Sequence, residues 1–181
     1  MIFRVKITTS RFTDAQAKMI HEAGKIVEEC FNTGSFKAFV LNHTANGEFD
    51  GNEGFHYTKE TNEEIYKKIM SGAETLDPQA DSEADIFIEL DRSYSWSAIG
   101  YTYDNTKWQW IYNRFFKGAS VASIASNIAH EYMHKLGYDH EYKWTALREF
   151  SVPYAVGYFV ERYAKMAAPL SYFERFKAYF V

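Results

Sequence analysis

Residues 130 to 140 read His-Glu-Tyr-Met-His-Lys-Leu-Gly-Tyr-Asp-His, and this segment constrains the chain more than any other. His130 and His134 are four apart, so on a helix their side chains leave the same face about one turn apart. That spacing lets two imidazoles share one tetrahedral metal ion at about 2.0–2.1 Å. Gly137 follows His134 by three residues and is the residue type that takes a left-handed conformation and ends a helix. The chain can then turn back and deliver His140 as a third imidazole. Three imidazoles leave a fourth position open, as in a reactive rather than a purely structural metal site. Glu131 stands beside the first ring, where its carboxylate reaches a metal-bound water rather than the metal. Five fixed residue types across these positions arise by chance in such a chain on the order of once in 10⁵. His21, His43 and His56 lack ligand spacing and read as surface or half-buried residues.

The flanking pattern indicates what carries the segment. Residues 119–136 form one long helical pattern with the histidines in its second half. Residues 2–8 alternate as a strand. Thr13 or Asp14 caps a helix running to about Phe31, with Ala17, Ile20, Ala23, Val27 and Phe31 on one face. Asn32-Thr33-Gly34 ends that helix, and residues 36–41 read as a short apolar strand. Residues 42–60, rich in Asn, Gly, Thr and His, read as a long surface loop. Thr61 with Glu64 three residues on has capping-box spacing and opens a helix to about residue 73. Asp77-Pro78 is a turn and residues 84–90 a buried strand. Strands over 98–103 and 108–116 are joined by Asp104-Asn105-Thr106 as a hairpin. A last helix over about 154–167 precedes an aromatic tail. This order predicts an α+β, α/β-like fold with helices packed on a sheet. No Gly-rich turn follows the first strand, which speaks against dinucleotide binding.

At 181 residues the chain is expected to form one domain over 1–181, its sheet-and-helix part reaching about residue 136 and its C-terminal part starting at about 137. The net charge of −4, without a basic run, leaves no electrostatic footprint for nucleic acid. No Lys/Arg-rich amphipathic face suggests a membrane surface, and no apolar run reaches spanning length. Cys30 is the only cysteine, so no intrachain disulfide forms, and it reads as a small buried hydrophobe on a helix. Without a signal peptide, spanning segment or disulfide pair, a cytoplasmic location is favoured. A monomer is the plain expectation for assembly.

At positions 130–140 the sequence resembles the metzincin clan of zinc metallopeptidases, whose signature is His-Glu-x-x-His-x-x-Gly-x-x-His. The resemblance implies a mixed, twisted sheet with an edge strand above the cleft, a long active-site helix and a C-terminal helix. It implies one catalytic Zn²⁺ held by His130, His134 and His140, with Glu131 as general base. The implied activity is a zinc-dependent metalloendopeptidase that hydrolyses peptide bonds through a zinc-bound water. Its peptide or protein substrate would lie extended along the edge strand, placed by analogy in the hairpin at 98–116. The alternative is a catalytically silent zinc-binding interaction module on the same scaffold, against which the intact Glu131 and ligand set argue. A shorter His-Glu-x-x-His class with Glu149 or Glu161 as distant ligand is made unnecessary by Gly137 and His140.

Metzincins follow the third histidine with a methionine-containing turn. Here the counterpart, Ser151-Val152-Pro153-Tyr154-Ala155-Val156-Gly157, has no methionine, and Met166 falls later inside a helical pattern. By the same resemblance Tyr154 is a candidate extra zinc ligand or oxyanion donor, with packing under the site as the plainer reading. Asp139 could orient an imidazole or be an exposed turn residue. Arg148 and Glu149 read as an ordinary surface bridge, and Trp96, Trp108, Trp110 and Trp144 as core or cleft wall.

Overall fold

Strict alternation along β2 (Glu83–Asp91) buries Ala84, Ile86, Ile88 and Leu90 on one face and leaves the intervening residues half-exposed on the other. The computed structural model describes residues 2–44, 54–95 and 98–167. In it β1 (Arg4–Ser10) runs parallel to β2, and β2 runs parallel to β4 (Trp108–Tyr112). The short β3 (Gly100–Thr102) is antiparallel to β4, with Thr102 opposite Gln109. The order β1-β2-β4-β3 makes β3 an edge strand. Among the described residues the fold is therefore a mixed α/β arrangement of four strands and six helices.

Helices start where side chains can take up their first N–H groups. Thr13, Thr61 and Ser120 each form a reciprocal capping box, opening α1 (Asp14–Phe31), α3 (Asn62–Ser71) and α5 (Val121–Lys135). Helix α1 packs on β1 and on α5, and α5 in turn lies against β2 and β3. Helix α6 (Val152–Ala167) covers the other side of α5. One aromatic cluster ties these layers together. Phe3 meets Phe31 at 5.6 Å and Tyr132 of α5 at 6.1 Å between ring centroids, all three fully or almost fully buried.

Three boundaries differ from the sequence reading, each for a local reason. Residues 36–41, expected as a strand, belong to α2 (Gly34–Leu41). The Thr33 hydroxyl accepts the Phe36 N–H, and Phe36 and Val40, one turn apart, enter the core, where Phe36 stacks on Phe31 at 4.4 Å. A strand would have put Ala38 on the same face, yet Ala38 is exposed. The strand expected to reach residue 116 stops at Tyr112, and α4 (Asn113–Gly118) follows, turning Phe116 onto Phe12 at 5.5 Å. The last helix begins at Val152 rather than 154, because the Ser151 carbonyl takes the Ala155 N–H at 2.9 Å.

Of the loop at 42–60, residues 45–53 lie outside the described residues, as do Trp96 and the aromatic tail beyond residue 167. Its end is anchored: Phe55 is 2% exposed and stacks on His43 at 3.9 Å. Cys30 is buried as expected, its thiol pushed up to about 12 by that burial. Among the described residues no helix is long and apolar enough to cross a membrane.

Two stability predictions follow from this packing. Phe36→Ala should cost about 3–5 kcal/mol, whereas Ala38→Glu should change stability by no more than about 0.5 kcal/mol. Urea melts of both variants check this, and a large loss in Ala38→Glu would restore the strand reading. The second concerns His43, whose pKa is lowered from 6.5 to about 4, chiefly by burial and then by the neighbouring His56. The unfolded chain then binds a proton that the folded one excludes, so stability falls as pH drops from about 6.5 to about 4. Replacing His43 by Phe should flatten the denaturation midpoint across that window relative to the parent chain.

Candidate metal centre

Helix α5 places His130 and His134 on one face, with ring centroids 5.1 Å apart. The helix ends in a Schellman turn. Gly137 takes φ +86, its N–H bonds the His134 carbonyl at 3.0 Å, and the Tyr138 N–H bonds the Met133 carbonyl at 3.1 Å. Tyr138 and Met133, which accompany those bonds, are both buried. The reversed chain brings the His140 ring to 5.1 Å from His130 and 4.9 Å from His134. One nitrogen from each ring lies within 4.8 Å of the others.

The far side of two of the rings is tied to a carbonyl. His134 Nδ1 donates to Tyr138 O at 2.7 Å, and His140 Nδ1 to Glu141 O at 3.1 Å. The backbone of Pro153, on α6, lies beside His130. The two carbonyl bonds fix the tautomers of His134 and His140 and leave their other nitrogens with lone pairs pointing inward. His130 Nε2 and His140 Nε2 then face each other at 3.2 Å. Burial drives all three rings towards the neutral form: His130 is held well below the ordinary 6.5, His134 is lowered to about 4, and His140 is lowered as well. A cation between them would take a lone pair from each ring. Nitrogens of a tetrahedral site at about 2.0–2.1 Å are separated by about 3.3–3.4 Å. The three rings therefore fit a divalent metal ion, and their neutral state is the one a metal requires.

Glu131 is 5% exposed and is not one of the converging groups. Burial pushes its carboxyl up to about 8, against an opposing hydrogen bond from Asn127 Nδ2 at 3.3 Å and the charge of Lys135. A cation at the rings would favour its ionised form. Tyr154, on α6, lays its ring 4.6 Å from His130 and 4.8 Å from His140. Gly157, one turn further on, permits the approach: a Cβ there would lie 3.1 Å from Ser126 O and 3.4 Å from His130 Cβ.

Other expected residues are placed differently. Asp139 Oδ1 accepts the His140 backbone N–H at 2.7 Å, so it shapes the turn rather than orienting an imidazole. Arg148 makes no ion pair with Glu149; it lies over the Tyr154 ring instead, with 4.5 Å from its guanidinium carbon to the centroid. Trp108 and Trp110 are half-buried on the open face of the sheet. Trp144, 75% exposed, is neither core nor buried wall, and Met166, 79% exposed, cannot lie beneath the rings.

Two residues that the motif leaves unspecified turn out to support it. The Tyr138 hydroxyl donates to Glu60 Oε2 at 2.5 Å, and Lys68 binds the other Glu60 oxygen at 2.9 Å, so the turn orienting His134 is anchored to the chain entering α3. Lys135 Nζ donates to the carbonyls of Tyr103, Thr106 and Trp108, fastening the β3–β4 hairpin to the end of α5. A Lys in the last turn is an ordinary helix-dipole choice. Only its burial reveals the second role.

Freeing the turn should loosen the site without removing it. Tyr138→Phe is expected to weaken metal affinity by up to about tenfold while the stoichiometry stays at one, and His140→Ala to weaken it further. Competition with a chromophoric chelator measures both; unchanged affinity in His140→Ala would break the three-ring assignment. Comparison with protein-family models, with curated proteins and with solved structures finds no match to this chain.

Proposed function

We propose that the protein is a zinc-dependent metalloendopeptidase of the metzincin type, with Zn²⁺ held by His130, His134 and His140 and with Glu131 as general base. The observation that carries this reading is the convergence of three imidazoles that burial keeps neutral, two of them tethered to carbonyls, beside one buried carboxyl outside the converging group. An all-nitrogen set of three with a free position suits a catalytic zinc. Bound there, zinc lowers the pKa of a water ligand to about 7 and polarises a carbonyl.

The chain's own groups do the rest. Glu131 Oε1 is steadied by Asn127, and the carboxylate takes the water proton and passes it to the leaving amine. Asn127 also touches the sheet edge: a Cβ on Gly100 of β3 would lie 3.0 Å from Asn127 Oδ1. Edge strand β3 thus runs close to the carboxyl, and its unpaired side can add an extended peptide as a further antiparallel strand. Lys135 holds that strand's hairpin in place. The first turn of α6 packs Tyr154 on two rings and sets the Pro153 backbone beside His130, a supporting role that needs no methionine.

Glu131→Gln separates chemistry from binding. It should keep about one equivalent of zinc and lose on the order of 10²–10⁴ in rate against a broad peptide library, with a chelator control. Undiminished cleavage would end the general-base assignment, and a zinc-loaded parent chain that cleaves nothing would point to the silent interaction module.

A further inference from the structure

Arg148 begins the single helical turn Arg148–Phe150 that leads into α6. Its backbone is pinned, since the Ser151 hydroxyl donates to Arg148 O at 2.7 Å and the Ser151 N–H does so at 3.1 Å. The side chain lies on the Tyr154 ring, whose centroid is 4.6 Å from that of His130 and 4.8 Å from that of His140. The guanidinium is thus one aromatic ring away from the metal ligands, and its charge is felt at both histidines.

What Arg148 lacks is a counter-ion. Among the described residues it forms no ion pair, and Glu149 beside it is exposed and turned elsewhere. Its one carbonyl acceptor is Tyr142 O, 3.3 Å from Nη1, with the Tyr154 side chain also in hydrogen-bonding reach. Its Nε is buried without a partner. The other half-buried or buried lysines near the site are satisfied: Lys68 by Glu60 at 2.9 Å, and Lys135 by three carbonyls. A half-buried cation with open donors, set beside a centre suited to a second cation, is electrostatically unfavourable until an anion arrives. A planar fork stacked on an aromatic ring loses little freedom on meeting a carboxylate, which it matches bidentately.

We propose that Arg148, seated on Tyr154, is a specificity residue that binds a carboxylate of the peptide substrate close to the scissile bond. The carboxylate is supplied either by an acidic side chain or by the peptide's own C-terminus. This rests on the peptidase reading above. Tyr154 then serves as a platform that spaces the guanidinium from the metal ligands, and the site prefers anionic peptides although the whole chain carries a net charge of −4.

Hydroxamates chelate a metal centre without being turned over, so binding to the zinc-loaded full chain can be read by calorimetry. Three probes are needed: a glutamyl peptide hydroxamate with its other end amidated, a glutaminyl one with a free terminal carboxylate, and a glutaminyl one carrying neither charge. At least one anionic probe should bind the parent chain about tenfold tighter than the neutral isostere, as expected of a charge-assisted bond. The arm with the advantage identifies the carboxylate's source. That advantage should fall to about one in Arg148→Met and survive in part in Arg148→Lys, with zinc stoichiometry of one certifying that each variant is folded. Equal affinity for all three probes, or an advantage that persists in Arg148→Met, overturns the subsite and leaves the peptidase reading standing. Failure to bind zinc or any hydroxamate removes the peptidase reading and the subsite together.

Discussion

Three imidazole rings converge, and two of them, His134 and His140, are held by their outer N–H groups to the carbonyls of Tyr138 and Glu141, so that their inner lone pairs face the centre. The nearest pair of nitrogens, His130 Nε2 and His140 Nε2, is 3.2 Å apart, close to the spacing that two ligands of one metal ion take. The fold supplies the restraint. Helix α5 sets two rings, the Schellman turn at Gly137 returns the third, and α6 closes in along Gly157 to present Pro153 and Tyr154. The tethers come from the turn after α5 and the Tyr154 ring from α6, so the site depends on the packing of α6 against α5 as much as on the motif.

The distribution of charge follows from the same geometry. Neutral histidines and a buried carboxyl that burial pushes up to about 8 leave the Lys135 ammonium, satisfied by carbonyls, as the fixed charge beside Glu131. Such an interior accommodates a divalent ion, because the ion's charge can be balanced by ionising Glu131 rather than by a permanent acid. Arg148 is the exception, a guanidinium with open donors at the rim.

The metal-ligand set was legible because it depends on spacings: four residues on a helix, three to a glycine, three more to His140. The capping box at Thr61 was legible for the same local reason, whereas at Thr13 the sequence offered only a cap shared with Asp14 and the box with Gln16 emerged in the fold. Short apolar runs were not. Residues 36–41 suit a buried strand or a buried helix equally by composition, and Thr33 together with the Phe31 ring decided for the helix. Carbonyl tethers could not be read at all, since every residue has a carbonyl and only the fold says which one meets a ring. The Tyr138–Glu60 bond joins residues far apart in sequence, and the Arg148–Tyr154 stack replaces the expected neighbour pairing with Glu149.

X-ray absorption at the zinc edge of the loaded protein tests the central claim most directly. One zinc per chain is expected, with only nitrogen and oxygen neighbours at about 2.0–2.1 Å and outer-shell scattering from three imidazoles. Substoichiometric zinc, a sulfur neighbour, or fewer than three imidazoles would contradict it.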